Sequence, residues 1–318
     1  MKKLILPVLA LLLVISVFSS CSAVSPVAED DSGKLTVVTT VFPVYDWTRN
    51  ITVDKCNVIY LDERGTDMHS FEPTANVILT LSSADVFIHI GGASDKWVSS
   101  ALQSADNNEV KTLTLIDIAS VLTEEDVNCA ESHHHEEHDH EAEELDEHIW
   151  LSLKNAQLSV DAICETLCQA DPDNASLYRE NAESYNSKLL DLDNRYTDCV
   201  NNAERKILLF ADRFPFRYLT EDYGIEYFAA FPGCSAESEA SFETLTSLIE
   251  KTKTYSLPCI LTIEKSTADI AETISNETGA KVLTLNSCQS VTNSDIRAGL
   301  TYLDAMENNL QTISEALN

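Results

Sequence analysis

Apolar residues arrive along this chain in two rhythms. Residues 34–40 (KLTVVTT), 57–61 (NVIYL) and 84–91 (ADVFIHIG) are short β-branched runs, each followed by a stretch that reads as helical. Strands alternating with helices predict βα units around a parallel sheet. One more such step, VKTLTLIDIAS near residue 110, precedes a run of charge that interrupts the series. Beyond it Leu177, Ala182, Tyr185, Leu189, Leu192, Tyr196 and Val200 recur at helical spacing, which predicts one amphipathic helix over 172–203. At ~1.5 Å per residue such a helix reaches ~45 Å, enough to brace two lobes. The alternation then resumes, with RKILLFA, EYFAAF, PCILTIE and AKVLTLN as strands and helices between them, and it ends in an amphipathic helix over 300–317. The expected class is therefore α/β. Two lobes, 34–171 and 204–318, each hold a small, mainly parallel sheet flanked by helices, and one long rigid helix over 172–203 joins them.

The first residues follow neither rhythm. Two lysines, an apolar run over 4–18 and the small residues Ser19-Ser20-Cys21-Ser22 form a secretory signal pattern over 1–21. A Cys directly after small residues resembles a bacterial lipobox, so Cys21 is the expected lipidation site, with an ordinary cleaved signal as the alternative. Residues 22–33 read as a flexible tether. This places the protein outside the cytoplasm, anchored by lipid to the outer face of a bacterial cytoplasmic membrane. Disulfides are permitted there. Eight cysteines follow Cys21 without any CxxC spacing, and the sequence leaves their pairing open; Cys164 and Cys168 share a helix face, as a bridge or as small buried apolar residues.

Charge changes the picture further. The 318 residues carry 52 Asp and Glu against 21 Lys and Arg, a formal net charge of −31. That balance opposes nucleic acid and anionic lipid headgroups and favours cations. Nine of the acids lie in residues 131–147, which read as a solvated loop. Six of the eight histidines fall in 133–148. His133, His134, His135, His138 and His140, mixed with carboxylates, suit zinc or a similar borderline cation, yet so flexible a run cannot hold a fixed geometry without a large ordering cost. It gathers metal loosely, or it is a solubilising loop with incidental histidines. His89, inside a strand, reads as a satisfied core residue. His69 in GTDMHSFEPT and His148 in DEHIWLSLKNA instead sit where a turn meets a regular element, which is where fixed sites are built.

GTDMHSFEPT, ADVFIHIGGASDKW and DEHIWLSLKNA, in that order and with an acidic, His-rich loop before the third, resemble the metal-specific solute-binding lipoproteins of ABC importers, the zinc and manganese family. VVTTVFPVYDWTRNI, DRFPFRYLTEDYGI, ILTIEKS and GLTYLDAMENNL also fall where that family has counterparts. The resemblance implies one cation held between two lobes, with His69 and His148 as its first two ligands. It places the third ligand, usually His and sometimes Glu, after the first strand of the second lobe. Asp212 is the candidate there, its bland reading being a cap on the following helix. The fourth ligand is normally an acid, in a segment that here reads LTLNSCQSVT. Asn286 and Gln289 occupy the expected positions and Cys288 lies between them. Water can also complete the shell, and Glu264 is the reserve candidate.

Two histidines with one carboxylate suit Zn²⁺ better than Mn²⁺, which asks for more oxygen. The resemblance thus implies a monomeric extracytoplasmic zinc receptor that delivers its ion to an ABC permease. A manganese receptor and a surface adhesin or zinc-storage lipoprotein are the alternatives. A zinc hydrolase would use the same residues, but no HExxH-like base is present, and no nucleotide motif occurs. No enzyme activity is expected.

Overall fold

The computed structural model describes residues 33–62, 65–66, 68–123, 145–233 and 240–318. The signal and tether, Cys21, the accessory His133, His134, His135, His138 and His140, and Cys129 and Cys234 lie outside them.

In the first lobe, β1 (Leu35–Thr39), β2 (Cys56–Tyr60), β3 (Val86–His89) and β4 (Lys111–Thr114) form a parallel sheet in the order β2-β1-β3-β4. β1 and β3 are central, and their Val37, Val38, Val86, Phe87 and Ile88 are fully buried, as expected of strands covered on both faces. Helix α1 (Phe42–Thr52) carries Pro43 in its first turn, where a missing N–H costs nothing. It covers one face. Helices α2 (Ala75–Ser82) and α3 (Val98–Ala105) cover the other, packing Val77, Leu81, Val98 and Ala101 against Val38 and Phe87.

Two long helices follow, α4 (Leu153–Ala170) and α5 (Ala175–Asn201), which pack along each other. The predicted helix over 172–203 in fact opens with a separate 3-10 turn, Pro172–Asn174. Its first buried anchor is Tyr178 rather than Leu177, because the Tyr178 hydroxyl donates to Asp171 Oδ2 at 2.6 Å. From Ala182 to Val200 the buried face is the one the spacing predicts.

The second lobe repeats the first. Strands β5 (Ile207–Phe214), β6 (Glu226–Pro232), β7 (Cys259–Ile263) and β8 (Lys281–Leu285) run parallel in the order β6-β5-β7-β8. Between β5 and β6 lies α6 (Arg217–Tyr223), between β6 and β7 lies α7 (Phe242–Thr254), and between β7 and β8 lies α8 (Asp269–Thr278). A short α9 (Asn293–Arg297) and the terminal α10 (Tyr302–Leu317) complete the order. The expected α/β class, two small parallel sheets with helical flanks and a long joining helix, is what the chain adopts.

Residues 35–318 make one compact unit, because the largest apolar cluster runs through both lobes by way of α1, α4, α5 and α10. Side chains also bond across the lobes: Trp150 Nε1–H donates to Ser287 O at 2.8 Å, and the Tyr302 hydroxyl donates to Trp150 O at 2.6 Å. None of the described helices is long and apolar enough to cross a membrane. Cys56, Cys164, Cys168, Cys199, Cys259 and Cys288 are free thiols, the Cys164 and Cys168 sulfurs lying 4.0 Å apart.

Candidate metal centre

His69 owes its position to a short loop between β2 and α2. Pro73 biases the residue before it toward extended backbone, so the helix begins only after Thr74. Upstream, a single 3-10 turn, Met68–Ser70, is pinned by buried Met68 and by Phe71, whose ring packs 5.3 Å from that of Trp97. His69, between these two anchors, keeps its side chain 16% exposed at the site.

His148 is placed differently. It precedes a 3-10 turn, Ile149–Leu151, whose three side chains are fully buried, and Ser152 then caps α4 by accepting the Asn155 N–H at 3.1 Å. The His148 ring is itself fully buried. Asp146 Oδ1 accepts both the His148 backbone N–H, at 2.9 Å, and Nδ1, at 2.8 Å. A carboxylate that takes the Nδ1–H fixes the tautomer and leaves the Nε2 lone pair for a cation. Burial pushes the Asp146 carboxyl up, but His148 and the nearby Arg217 outweigh it and hold the group below its ordinary value.

The two rings meet. Nε2 of His69 lies 3.3 Å from Nε2 of His148. Two nitrogens bound to one tetrahedral zinc at ~2.0–2.1 Å stand about 3.3 Å apart, so the pair already has the spacing of a shared ion. On its other side His69 Nδ1 is 2.8 Å from Ser94 Oγ. Ser94 belongs to the turn after β3, which Gly91 and Gly92 enter with φ of +96° and +82°. Gly92 is required there, because a Cβ would collide with the Glu147 carboxylate at Oε1. From the second lobe, the Tyr218 hydroxyl donates to Asp146 O at 2.7 Å, and Gly233 approaches so closely that a Cβ would lie 3.3 Å from His148 Cε1.

The remaining candidates are engaged elsewhere. Asp212 does not follow β5 but lies within it, at an irregularity where two residues of β5, Ala211 and Asp212, stand against one of β6 between the pairs Phe210–Ala229 and Arg213–Phe231. Its Oδ1 accepts the Arg213 N–H at 2.8 Å and its Oδ2 faces the Ile263 N–H at 3.4 Å, so the carboxylate serves the sheet where regular pairing stops. Glu264 accepts from the Ser287 hydroxyl and N–H at 2.6 and 2.7 Å, and burial raises its carboxyl. Asn286 exchanges backbone bonds with the Asn309 amide. Cys288, at φ +60° and fully buried, has its thiol pushed well above the ordinary range by burial and by the Glu264 and Asp46 charges, which disfavours the thiolate that a metal needs. Gln289 is buried, and its amide nitrogen finds no partner among the described residues. Among the described residues no three His, Cys, Asp or Glu side chains converge as a ready-made metal site.

The solvated-loop reading of 131–147 fails at its end. Asp146 and Glu147 are 6% and 1% exposed, held by His148 and by the Ser94 N–H, which reaches Glu147 Oε1 at 2.7 Å. Sequence reasoning missed both, and the signal available was their place directly before His148. His89 is a satisfied core residue: Nδ1 is 3.0 Å from Asp95 Oδ2 and Nε2 is 3.1 Å from Thr114 Oγ1.

Residues 37–316 match the family ZnuA, described as zinc-uptake complex component A, periplasmic. The chain belongs to this family. The ZnuA protein of Bacillus subtilis, a high-affinity zinc uptake system protein, is 31% identical over 293 residues, 91% of this chain and 90% of that protein. The zinc-binding lipoprotein AdcA of Streptococcus pneumoniae R6 is 33% identical over 284 residues, 89% of this chain. That alignment covers 56% of AdcA, so the chain spans little more than half the length of this relative. Among solved structures, the Zn(II)-bound ZnuA-like domain of S. pneumoniae AdcA aligns at TM-score 0.73 and 31% identity, covering 90% of this chain and 99% of that domain. The metal-dependent lipoprotein YcdH of B. subtilis aligns at 0.75 and 30%, covering 89% and 99%. The ZnuA fold is thus shared over almost all of residues 35–318.

Proposed function

We propose that this protein is an extracytoplasmic receptor that captures Zn²⁺ where its two lobes meet and hands it to the permease of an ABC importer. The observation that carries the reading is the His69–His148 pair: two Nε2 atoms 3.3 Å apart, one ring held from behind by Asp146 and the other by Ser94. Imidazole is a zinc donor, whereas Mn²⁺ prefers oxygen. The names of the B. subtilis and S. pneumoniae relatives point to zinc uptake and zinc binding, and that of AdcA to a lipoprotein. Cys21 is then the lipid anchor, and the histidines of 133–140 collect ions ahead of the fixed pair.

Asp212, as placed, would have to give up its contacts with Arg213 and Ile263 to reach the ion. Water is therefore the better third and fourth donor in this conformation. A protonated imidazole nitrogen cannot bind a cation, so zinc binding competes with protons and affinity falls as pH is lowered. The test is native mass spectrometry of a soluble 22–318 form lacking only 131–144, zinc-loaded and dialysed against a weak chelator. One retained zinc, absent from His69→Ala and His148→Ala and lost between pH 7.5 and 5.5, is expected. Retention in either variant would overturn the site.

A further inference from the structure

Glu147 presents a problem that the histidine pair alone does not explain. Its side chain is almost fully buried, and among the described residues only one oxygen is satisfied: Oε1 accepts the Ser94 N–H at 2.7 Å, while Oε2 finds no hydrogen-bond partner. A half-satisfied buried carboxylate is costly, and a natural fold keeps one where it is used. The surroundings are shaped to it. Gly92, at φ +82°, leaves no room for a Cβ beside Oε1, so the turn of residues 91–94 wraps the carboxylate rather than passing it by. Oε2 points toward His69, 3.8 Å from Nδ1, and Ser94 Oγ lies 2.8 Å from that same nitrogen.

The hydroxyl of Ser94 can donate or accept, and the ion decides which is needed. With the Nδ1–H of His148 given to Asp146, the only proton that can sit between the two Nε2 atoms belongs to His69. Without metal, His69 is then the Nε2–H tautomer and its Nδ1 accepts from Ser94. A cation at Nε2 displaces that proton and requires the Nδ1–H tautomer, so His69 must now donate to Ser94 Oγ. The serine proton is thereby turned outward and needs an acceptor. We infer that Glu147 is the positioning residue for His69 in the metal-bound state: its unpartnered Oε2 accepts from the Ser94 hydroxyl, or directly from His69 Nδ1, giving His69 a carboxylate behind it as Asp146 does for His148. Glu147 would act on the ion through Ser94 and His69 rather than as a ligand. This inference rests on the zinc-receptor reading and adds a second carboxylate, recruited only on loading.

Competition titration of zinc against a chromophoric chelator, on the full exported chain, tests it with four proteins: wild type, Glu147→Gln, Ser94→Ala and the double variant. Glu147→Gln keeps the acceptor for the Ser94 N–H and removes the charge. Loss of a partner behind a ligand costs 10–100-fold in metal affinity, so each single variant is expected to weaken zinc by at least ~10-fold. The double variant is expected to lose no more than the worse single one, because both substitutions break one chain. The Co²⁺ absorption bands of Glu147→Gln should keep their position, since no ligand is removed, and the metal-free protein should melt no lower than wild type. Zinc affinity within twofold of wild type in both single variants, or fully additive losses, would overturn the inference while leaving the receptor reading intact. A fifth protein, His69→Ala, that binds as many zinc ions as wild type and as tightly would overturn both. If Glu147→Gln does not fold, Ser94→Ala and its Co²⁺ spectrum decide alone.

Discussion

Asp146 makes three hydrogen bonds in the site with two of its acceptors, and its chemistry sets what the neighbouring imidazole can do. Oδ1 takes the His148 N–H and Nδ1, while the backbone carbonyl takes the Tyr218 hydroxyl from the other lobe. Because its carboxyl is held below the ordinary value, it contributes stability above the unfolded-state pKa of about 4 that is lost as pH falls below it. Asp146→Asn can present its amide to Nδ1 and so favour the wrong tautomer. Zinc affinity is expected to fall 10–100-fold, read by chelator competition, with the variant also losing less stability than wild type on acidification from pH 5 to 3. The motif resemblance singles out His148 as a candidate ligand, whereas Asp146 reads in sequence as part of a solvated loop.

At the scale of elements, the site depends on how two turns end. The Ile149–Leu151 turn passes straight into α4, and Ser152 is the joint: its hydroxyl accepts the Asn155 N–H and donates to Asp222 Oδ2 of α6 at 2.6 Å. Asp222 is also paired with Lys154 at 2.9 Å. A Ser N-cap replaced by Ala costs ~1 kcal/mol, and loss of the α4–α6 bond adds to it. Ser152→Ala should therefore lower unfolding stability by about 1–2 kcal/mol in urea titration. The helix periodicity from Ala182 to Val200 was legible because an amphipathic face is written locally at 3.6 residues per turn. The irregularity in β5 was not. Residues 207–214 look like any apolar strand running into a turn, and the extra residue exists only against the register of β6. The family resemblance offers Asp212 as a candidate ligand, and in the structure its carboxylate bonds within the sheet.

Across the whole molecule, the joint between lobes is built on buried polar groups rather than on apolar packing alone. Asp46 of α1 is the clearest. Its Oδ2 faces the Tyr185 hydroxyl of α5 at 3.1 Å and the Tyr302 N–H of α10 at 3.3 Å, so one carboxylate ties three helices. Burial raises its pKa from 3.8 to about 6, partly offset by the bonds from Tyr185 and Tyr302. A raised folded-state pKa means that the folded protein holds this proton more tightly than the unfolded chain does. Its contribution is therefore fully present below about pH 4 and lost as pH rises through 6, on the order of 3 kcal/mol in all. Asp46→Asn keeps an acceptor for both tyrosines' bonds and abolishes the titration. Its stability relative to wild type is expected to rise between pH 4 and 7, read from urea midpoints at both pH values.

The sequence by itself determined the α/β class, the pairing of two like lobes through a long helix, and the two histidines that face each other. Those depend on local patterning and on short segments whose residues are adjacent in the chain. Only the tertiary structure decided what stands behind the histidines and what does not join them. Ser94 and Glu147 are 53 residues apart and meet because β3 ends in a glycine turn that folds over the DEHIW segment. Asp212 and Ile263 are 51 apart and meet because β5 and β7 are neighbours in one sheet. Hydrogen-bonding capacity is a property of each residue, but which partner satisfies it is fixed by the packing of distant elements, and in this protein that choice puts Ser94 and Glu147 beside the histidine pair and Asp212 in the sheet.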